Sequence, residues 1–215
     1  MINENSTVAE AVKFFARHNL SMHIRYYNDH KRLVSNQVTE ITKELNEGRA
    51  NQEREVDLKA AKAVYLNSYH QYMIINTFLL MYSHLEECLA VAFRILVEDG
   101  PATSRRTGLE RFMENFRERC SVRLAEGPKW AYLQDCSRIR STLLHAAGNI
   151  TLVRDRQRID SVIKRNPEYV AVDNDRLIVR EKMLVDFYAI VPDFLDWLAD
   201  AIEEKNRGIV GGIGS

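Results

Sequence analysis

From Met73 to Val97 the chain contains neither glycine nor proline, and its apolar residues recur on a helical period. Ile74, Phe78, Met81, Leu85, Cys88, Ala92 and Ile95 follow a 4-3-4-3-4-3 spacing. A stripe of that kind must be buried against neighbours, so the segment is expected to form the spine of a helical bundle. His84, Glu86, Glu87 and Arg94 interrupt it, which makes a membrane-spanning helix implausible. Asp99, Gly100 and Pro101 form a strong helix breaker at its end.

The rest of the chain reads around that spine. Thr7 and Glu10 fit a capping box, so a helix is expected from there to about Glu47, broken near Asn19 and stopped at Gly48. Residues 49–62 are highly charged and read as an exposed link or a first helical turn. Thr107 and Glu110 make a second capping box, opening a helix to about Cys120. Gly127 and Pro128 lead into a helix from Lys129 to Ala147, closed by Gly148. Residues 151–165 suit a short basic helix. The period then changes. Tyr169 to Val172 and Arg176 to Val179, around a polar Asp-Asn-Asp turn, read as a small β-hairpin. Glu181 to Glu204 returns to helix, with Leu184, Phe187, Tyr188, Val191, Leu195 and Leu198 on its apolar side and a kink at Pro192. There is no internal repeat. The expected fold is all-α: a helical bundle with a small β-hairpin near the C-terminus. Residues 1–60 form an N-terminal helical extension, 61–207 the main helical domain and 208–215 a flexible tail.

Composition excludes several classes. A chain that is 46% apolar and 28% charged is neither disordered nor fibrous. Its three cysteines, Cys88, Cys120 and Cys136, cannot build a disulfide framework or a four-cysteine zinc site and suit a reducing compartment. Residues 1–10 lack the basic-then-apolar order of a signal peptide, so a cytoplasmic protein with no membrane partner is expected. Acidic and basic residues number 30 each, but they are unevenly placed. Residues 101–165 hold 14 Lys/Arg against 7 Asp/Glu. A basic middle permits a phosphate-rich partner, and solvated helix faces account for it equally well.

Most chemical motifs are absent. The sequence has no glycine-rich phosphate loop, no Gly-x-Ser-x-Gly elbow and no His-Glu-x-x-His pair. No two of its histidines lie three or four residues apart, so one helix offers no histidine pair to a metal. No cofactor is expected.

Residues 139–148 stand apart. At about 100° per residue, Tyr132, Leu133, Cys136, Ile139, Leu143, Leu144 and Ala147 fill one apolar arc, and Arg140 falls inside it. A guanidinium there must pair with a carboxylate, face a subunit interface or ligand, or snorkel to solvent. Glu86 is the candidate carboxylate to orient it, a solvent-exposed helix carboxylate being an equally good reading of Glu86, and Glu87 is its substitute if the helix is rotated. His145 shares the polar side with Gln134, Arg138 and Ser141. It lies in the last turn, where the helix terminus favours imidazolium and the arginines oppose it. A histidine so placed suits proton transfer.

With its Arg140-Ser141-Thr-Leu-Leu-His145 segment the chain resembles the HEPN superfamily, helical proteins with an Arg, four to six residues, then a His. Ser141 replaces the Asn that commonly follows the Arg. Tyr82 to Leu89, with its Leu-Glu pair, is similar to the family's earlier core helix. The hairpin-then-helix ending extends the resemblance over about residues 65–205. Arg17 with His23, Arg25 with His30 and Arg138 with His145 also satisfy the spacing. Context selects Arg140: an apolar helix, a polar residue after the Arg and a Gly after the His.

The resemblance implies an endoribonuclease that needs no metal, acting as a toxin or antiviral effector, leaving a 2′,3′-cyclic phosphate and a 5′-hydroxyl. Arg140 suits charge stabilisation on the phosphate and His145 proton transfer, with Ser141, Glu86 and Arg138 in support. The resemblance also implies a two-fold homodimer joining two copies of the site, and an antitoxin or sensor partner. Arg154, Arg156, Arg158, Lys164 and Arg165 are candidates to track the RNA backbone. Trp130 and Tyr132 read as core residues before stacking platforms, and Cys88 and Cys136 as packing residues with no base beside them. A non-catalytic nucleotide- or RNA-binding module of the same kind, or a helical dimerisation protein, is the alternative.

Overall fold

The computed structural model describes residues 8–48, 51–97 and 108–211. Its spine is α3 (His70–Leu96). Phe78, Met81, Leu85 and Ala92 are fully buried, and Ile74 and Cys88 nearly so, as the stripe requires. The Ile95 side chain, the breaker at residues 99–101 and Thr107 of the second capping box lie outside what is described.

Two long helices flank the spine, α1 (Val8–Asn46) and α7 (Glu181–Gly211). Lys13 pairs with Asp200 at 2.8 Å, Arg17 with Asp196 at 2.5 Å and Lys31 with Glu181 at 2.6 Å. One series rises as the other falls, so α1 and α7 are antiparallel. Largely exposed pairs of this kind contribute little stability each. The packing comes from Leu20 and Tyr27 of α1, which are buried in the same core as the α3 stripe, and from Phe187 of α7, edge-on to Phe78 at 5.7 Å. Leu20 and Tyr27, within the stretch read as an extension, thus supply core side chains of the bundle.

Several local expectations are corrected. Helix α1 passes unbroken through Asn19, because packing along α3 outweighs the weak helix propensity of one Asn. The charged link is a helix, α2 (Gln52–Ala63). The Asn51 side chain accepts a hydrogen bond from the Arg54 N–H at 2.9 Å, and Arg54 pairs with Glu44 of α1 at 2.9 Å. A π-helical turn, Val64–Tyr69, joins α2 directly to α3. Helix α7, with Pro192 inside it, runs beyond Glu204 and Gly208 to Gly211; residues 212–215 are outside the description. Tyr188 is 37% exposed, since it sits at the margin of an arc centred on Met183, Phe187, Val191 and Phe194.

The remaining elements are α4 (Gly108–Cys120), α5 (Trp130–His145), α6 (Arg156–Arg165) and the antiparallel strands β1 (Val170–Asp173) and β2 (Arg176–Val179). Asn174 and Asp175 both have positive φ, 46° and 61°, the geometry of a tight two-residue hairpin turn. The fold is therefore all-α with one small hairpin near the C-terminus. Among the described residues no helix is long and apolar enough to cross a membrane.

Candidate functional site

Helix α5 carries the site, and both of its ends are fixed. At the start, Trp130 stacks on Phe194 of α7 at 5.7 Å. Gly127 just before it lies so close that a Cβ would meet Phe194 and Trp197 ring carbons at 2.6 and 2.7 Å. At the end, Ala147 and Gly148 turn left-handed, with φ of 48° and 76°, and the Gly148 N–H donates to Thr142 O at 3.2 Å. The hairpin then holds this turn: the Leu177 N–H donates to Gly148 O at 2.8 Å and the Ile150 N–H to Asp175 O at 2.9 Å. The hairpin thereby fixes the last turn of α5, where His145 sits. The same turn removes Ala147 from the apolar arc and leaves it exposed. Leu144, also expected in that arc, is 48% exposed at its edge.

Of the outcomes open to Arg140, the structure shows a carboxylate partner. Its Nη2 lies 2.9 Å from Glu86 Oε2, and its guanidinium lies 5.2 Å from the centre of the buried Tyr82 ring. Its Nε is buried and makes no hydrogen bond. Burial holds the Glu86 carboxyl above the usual carboxylate range, against the opposing pull of Arg140 and Arg111. Glu87, the substitute, instead faces His84 Nδ1 at 3.4 Å and is exposed.

The polar face of α5 opens onto two adjoining hollows. One, of about 270 Å³, is lined by Gln134, Ser137, Arg138, Arg140, Ser141 and His145 from α5, with Gly108, Glu110 and Arg158 among the residues opposite. The other, of about 370 Å³, is bounded by Arg138, Ser141 and His145 again and by residues 152–155, Arg158 and Ile159. Arg140, Ser141 and His145 thus line one hollow, and the wall between the two includes Ser141 and His145. Ser141 and His145 are exposed. The other Arg-His pairs are separated or engaged elsewhere. Arg17 turns to Asp196 while His23 faces the His84 ring at 6.2 Å, and His30 Nδ1 contacts its own helix at Tyr26 O, 3.0 Å away.

Arg138 has a structural partner that sequence reasoning missed. Asp135, nearly buried, accepts from Arg138 Nη1 at 2.8 Å, Arg165 Nη2 at 2.8 Å and Asn166 Nδ2 at 2.9 Å. The i, i+3 spacing of Asp135 and Arg138 was a usable signal; the 30-residue reach to Arg165 was not. The basic run is therefore divided. Arg156 pairs with Asp160 at 2.7 Å, Arg158 with Glu110 at 3.2 Å, and Arg165 with Asp135. Arg154 and Lys164 have no ion-pair partner among the described residues, and Arg154 lines the larger hollow.

Trp130 is buried and Tyr132 donates its hydroxyl to Met183 O at 3.2 Å, so both serve the core. Cys88 does have a base beside it: His84 Nε2 lies 3.4 Å from its Sγ. Their i, i+4 spacing on α3 made this legible. Burial pushes the Cys88 thiol up to about 12 and the Cys120 thiol up to about 11, so neither is a ready thiolate. No group of three or more His, Cys, Asp or Glu among the described residues could hold a metal ion.

No family model, no curated protein and no solved structure matches the chain. The class defined by the fold is an all-α bundle with a hairpin-clamped helix that presents arginine, serine and histidine to a shared hollow.

Proposed function

We propose that the protein is a metal-independent endoribonuclease of HEPN type, a toxin or antiviral effector that cuts RNA at a composite site in a homodimer. The observation that carries this reading is the meeting of Arg140, Ser141 and His145 at one polar hollow, with His145 exposed. In the reaction the 2′-oxygen bonds to phosphorus as the bond from phosphorus to the 5′-oxygen breaks. One His145 takes the 2′-hydroxyl proton and its symmetry mate, as imidazolium, gives a proton to the leaving 5′-oxygen. Arg140 offsets the charge that builds on the phosphate oxygens, and Glu86 orients Arg140. Arg154 and Lys164 contact flanking phosphates. An antitoxin or sensor partner restrains the activity in a cytoplasmic setting.

A second reading is a non-catalytic nucleotide- or RNA-binding or dimerisation module. Its specific support is that Arg140 already has Glu86 and Tyr82 as partners, the arrangement of a structural arginine. Induction in a host separates the two. Wild type arrests growth, and His145→Ala, expressed to the same level, does not. Equal toxicity, or none in either, favours the second reading. The mass in solution at micromolar concentration is that of a dimer; a monomer would remove the composite site.

A further inference from the structure

The two hollows that meet at Ser141 and His145 differ in chemistry. The smaller presents guanidinium, amide and hydroxyl groups from Arg140, Gln134 and Ser137. The larger shares Arg138 and Arg158 with it and is bordered by Arg154 and Asp155, but its floor is apolar: Ala146 and Ile159, both buried, with Val153 beside them. Leu152 stands at its edge, 71% exposed. That leucine is held out by a well-made turn: Asn149 Oδ1 accepts from the Thr151 N–H at 2.9 Å and its hydroxyl at 2.7 Å, and Ile150 is anchored in the core. Nothing among the described residues covers Leu152. Arg154, with no ion pair among the described residues, follows it.

The geometry points to a nucleobase subsite in the larger hollow. This inference rests on the reading of α5 as an RNA-cleaving helix. One unstacked base lies on Val153 and Ile159 under Leu152. Its ribose reaches Ser141 and His145, and its phosphate enters the smaller hollow beside Arg140. A nucleotide has this construction, an apolar ring face joined through a sugar to an anion. At about 370 Å³ the hollow is near the lower end of small-ligand sites, which run from roughly 300 to 1,000 Å³. It suits one base rather than a duplex. The base must be unpaired to enter, so the site selects single-stranded RNA.

The test uses the full chain carrying His145→Ala, which removes cleavage from the readout. Its probe is a short single-stranded RNA with 2-aminopurine placed at each position in turn. One position is expected to respond on binding, and the same sequence in a duplex binds roughly tenfold more weakly. Adding Leu152→Ala lowers single-strand affinity roughly tenfold, the loss of one leucine's apolar contact with the base, and abolishes the fluorescence response; Leu152→Phe retains both. Tight binding with no responding position, or with Leu152→Ala as tight as its parent, overturns the base subsite and leaves the phosphate-cleaving reading standing. Absence of RNA binding in every form overturns both.

Discussion

The first half of α5 and its last turn carry similar side chains and use them in opposite ways. Around Asp135 the charges are paired: one nearly buried carboxylate collects Arg138 and Arg165, together with the Asn166 amide, and ties α5 to α6, although Arg138 also borders both hollows. In the last turn, Ser141 and His145 face open hollows and Arg154 stands nearby without an ion pair among the described residues. Arg140 sits between the two regimes, paired to Glu86 yet lining a hollow. Positive charge on this helix is therefore mostly structural cement, and the groups left for a ligand are few and clustered at one end.

The largest effect should come from breaking the paired half. Asp135→Ala removes the acceptor shared by Arg138 and Arg165 and should cost roughly 3 kcal/mol, the scale of a hydrogen bond to a charged group, read as a lower midpoint in urea. His145→Ala, at the exposed end, should shift the same midpoint by no more than about 0.5 kcal/mol. If the two variants were equally stable, the division drawn here would fail. A smaller effect is expected at the turn between α5 and the hairpin. Gly148→Ala finds ordinary contact distances, 3.6 Å to Leu143 Cδ2 and 3.9 Å to Leu177 O. Its cost is conformational, about 1 kcal/mol for a side chain at positive φ.

The smallest effect is in the pH dependence of the intermediate case. Burial raises the Glu86 pKa above its ordinary 4.5, so the native state keeps a proton that the unfolded chain has released. Between that ordinary value and the raised one, the unfolded state binds fewer protons and this group's contribution to stability falls as pH rises. Above the raised pKa the contribution is constant. Urea midpoints across mildly acidic pH should show that downward slope in wild type and lack it in Glu86→Gln; an upward slope from Glu86 would mean that Arg140 outweighs burial.

The elements with strong internal periodicity were legible: the α3 stripe, α5 between Gly127 and Gly148, and the hairpin, because each is dictated by neighbours in the chain. Arg140 could also be read, since a charge inside an apolar arc requires an explanation, and Glu86 was one candidate partner, open equally to being a solvated carboxylate. Helix α2 was hidden because its charged surface shows no apolar pattern, leaving only the Asn51 cap and Leu58 to mark it. The role of Asp135 depended on residues that the fold brings from α6, and the engagement of Arg158 on Glu110, 48 positions away. Counting charges along the chain could not tell an arginine already bound to a carboxylate from one left open.

The central claim is tested most directly by the ends of the RNA fragments. Purified wild-type protein should cleave single-stranded RNA in excess chelator to fragments bearing 2′,3′-cyclic phosphate and 5′-hydroxyl ends, and both His145→Ala and Arg140→Ala should leave the RNA intact. Cleavage that requires a divalent ion, or that persists at full rate in both variants, would contradict it.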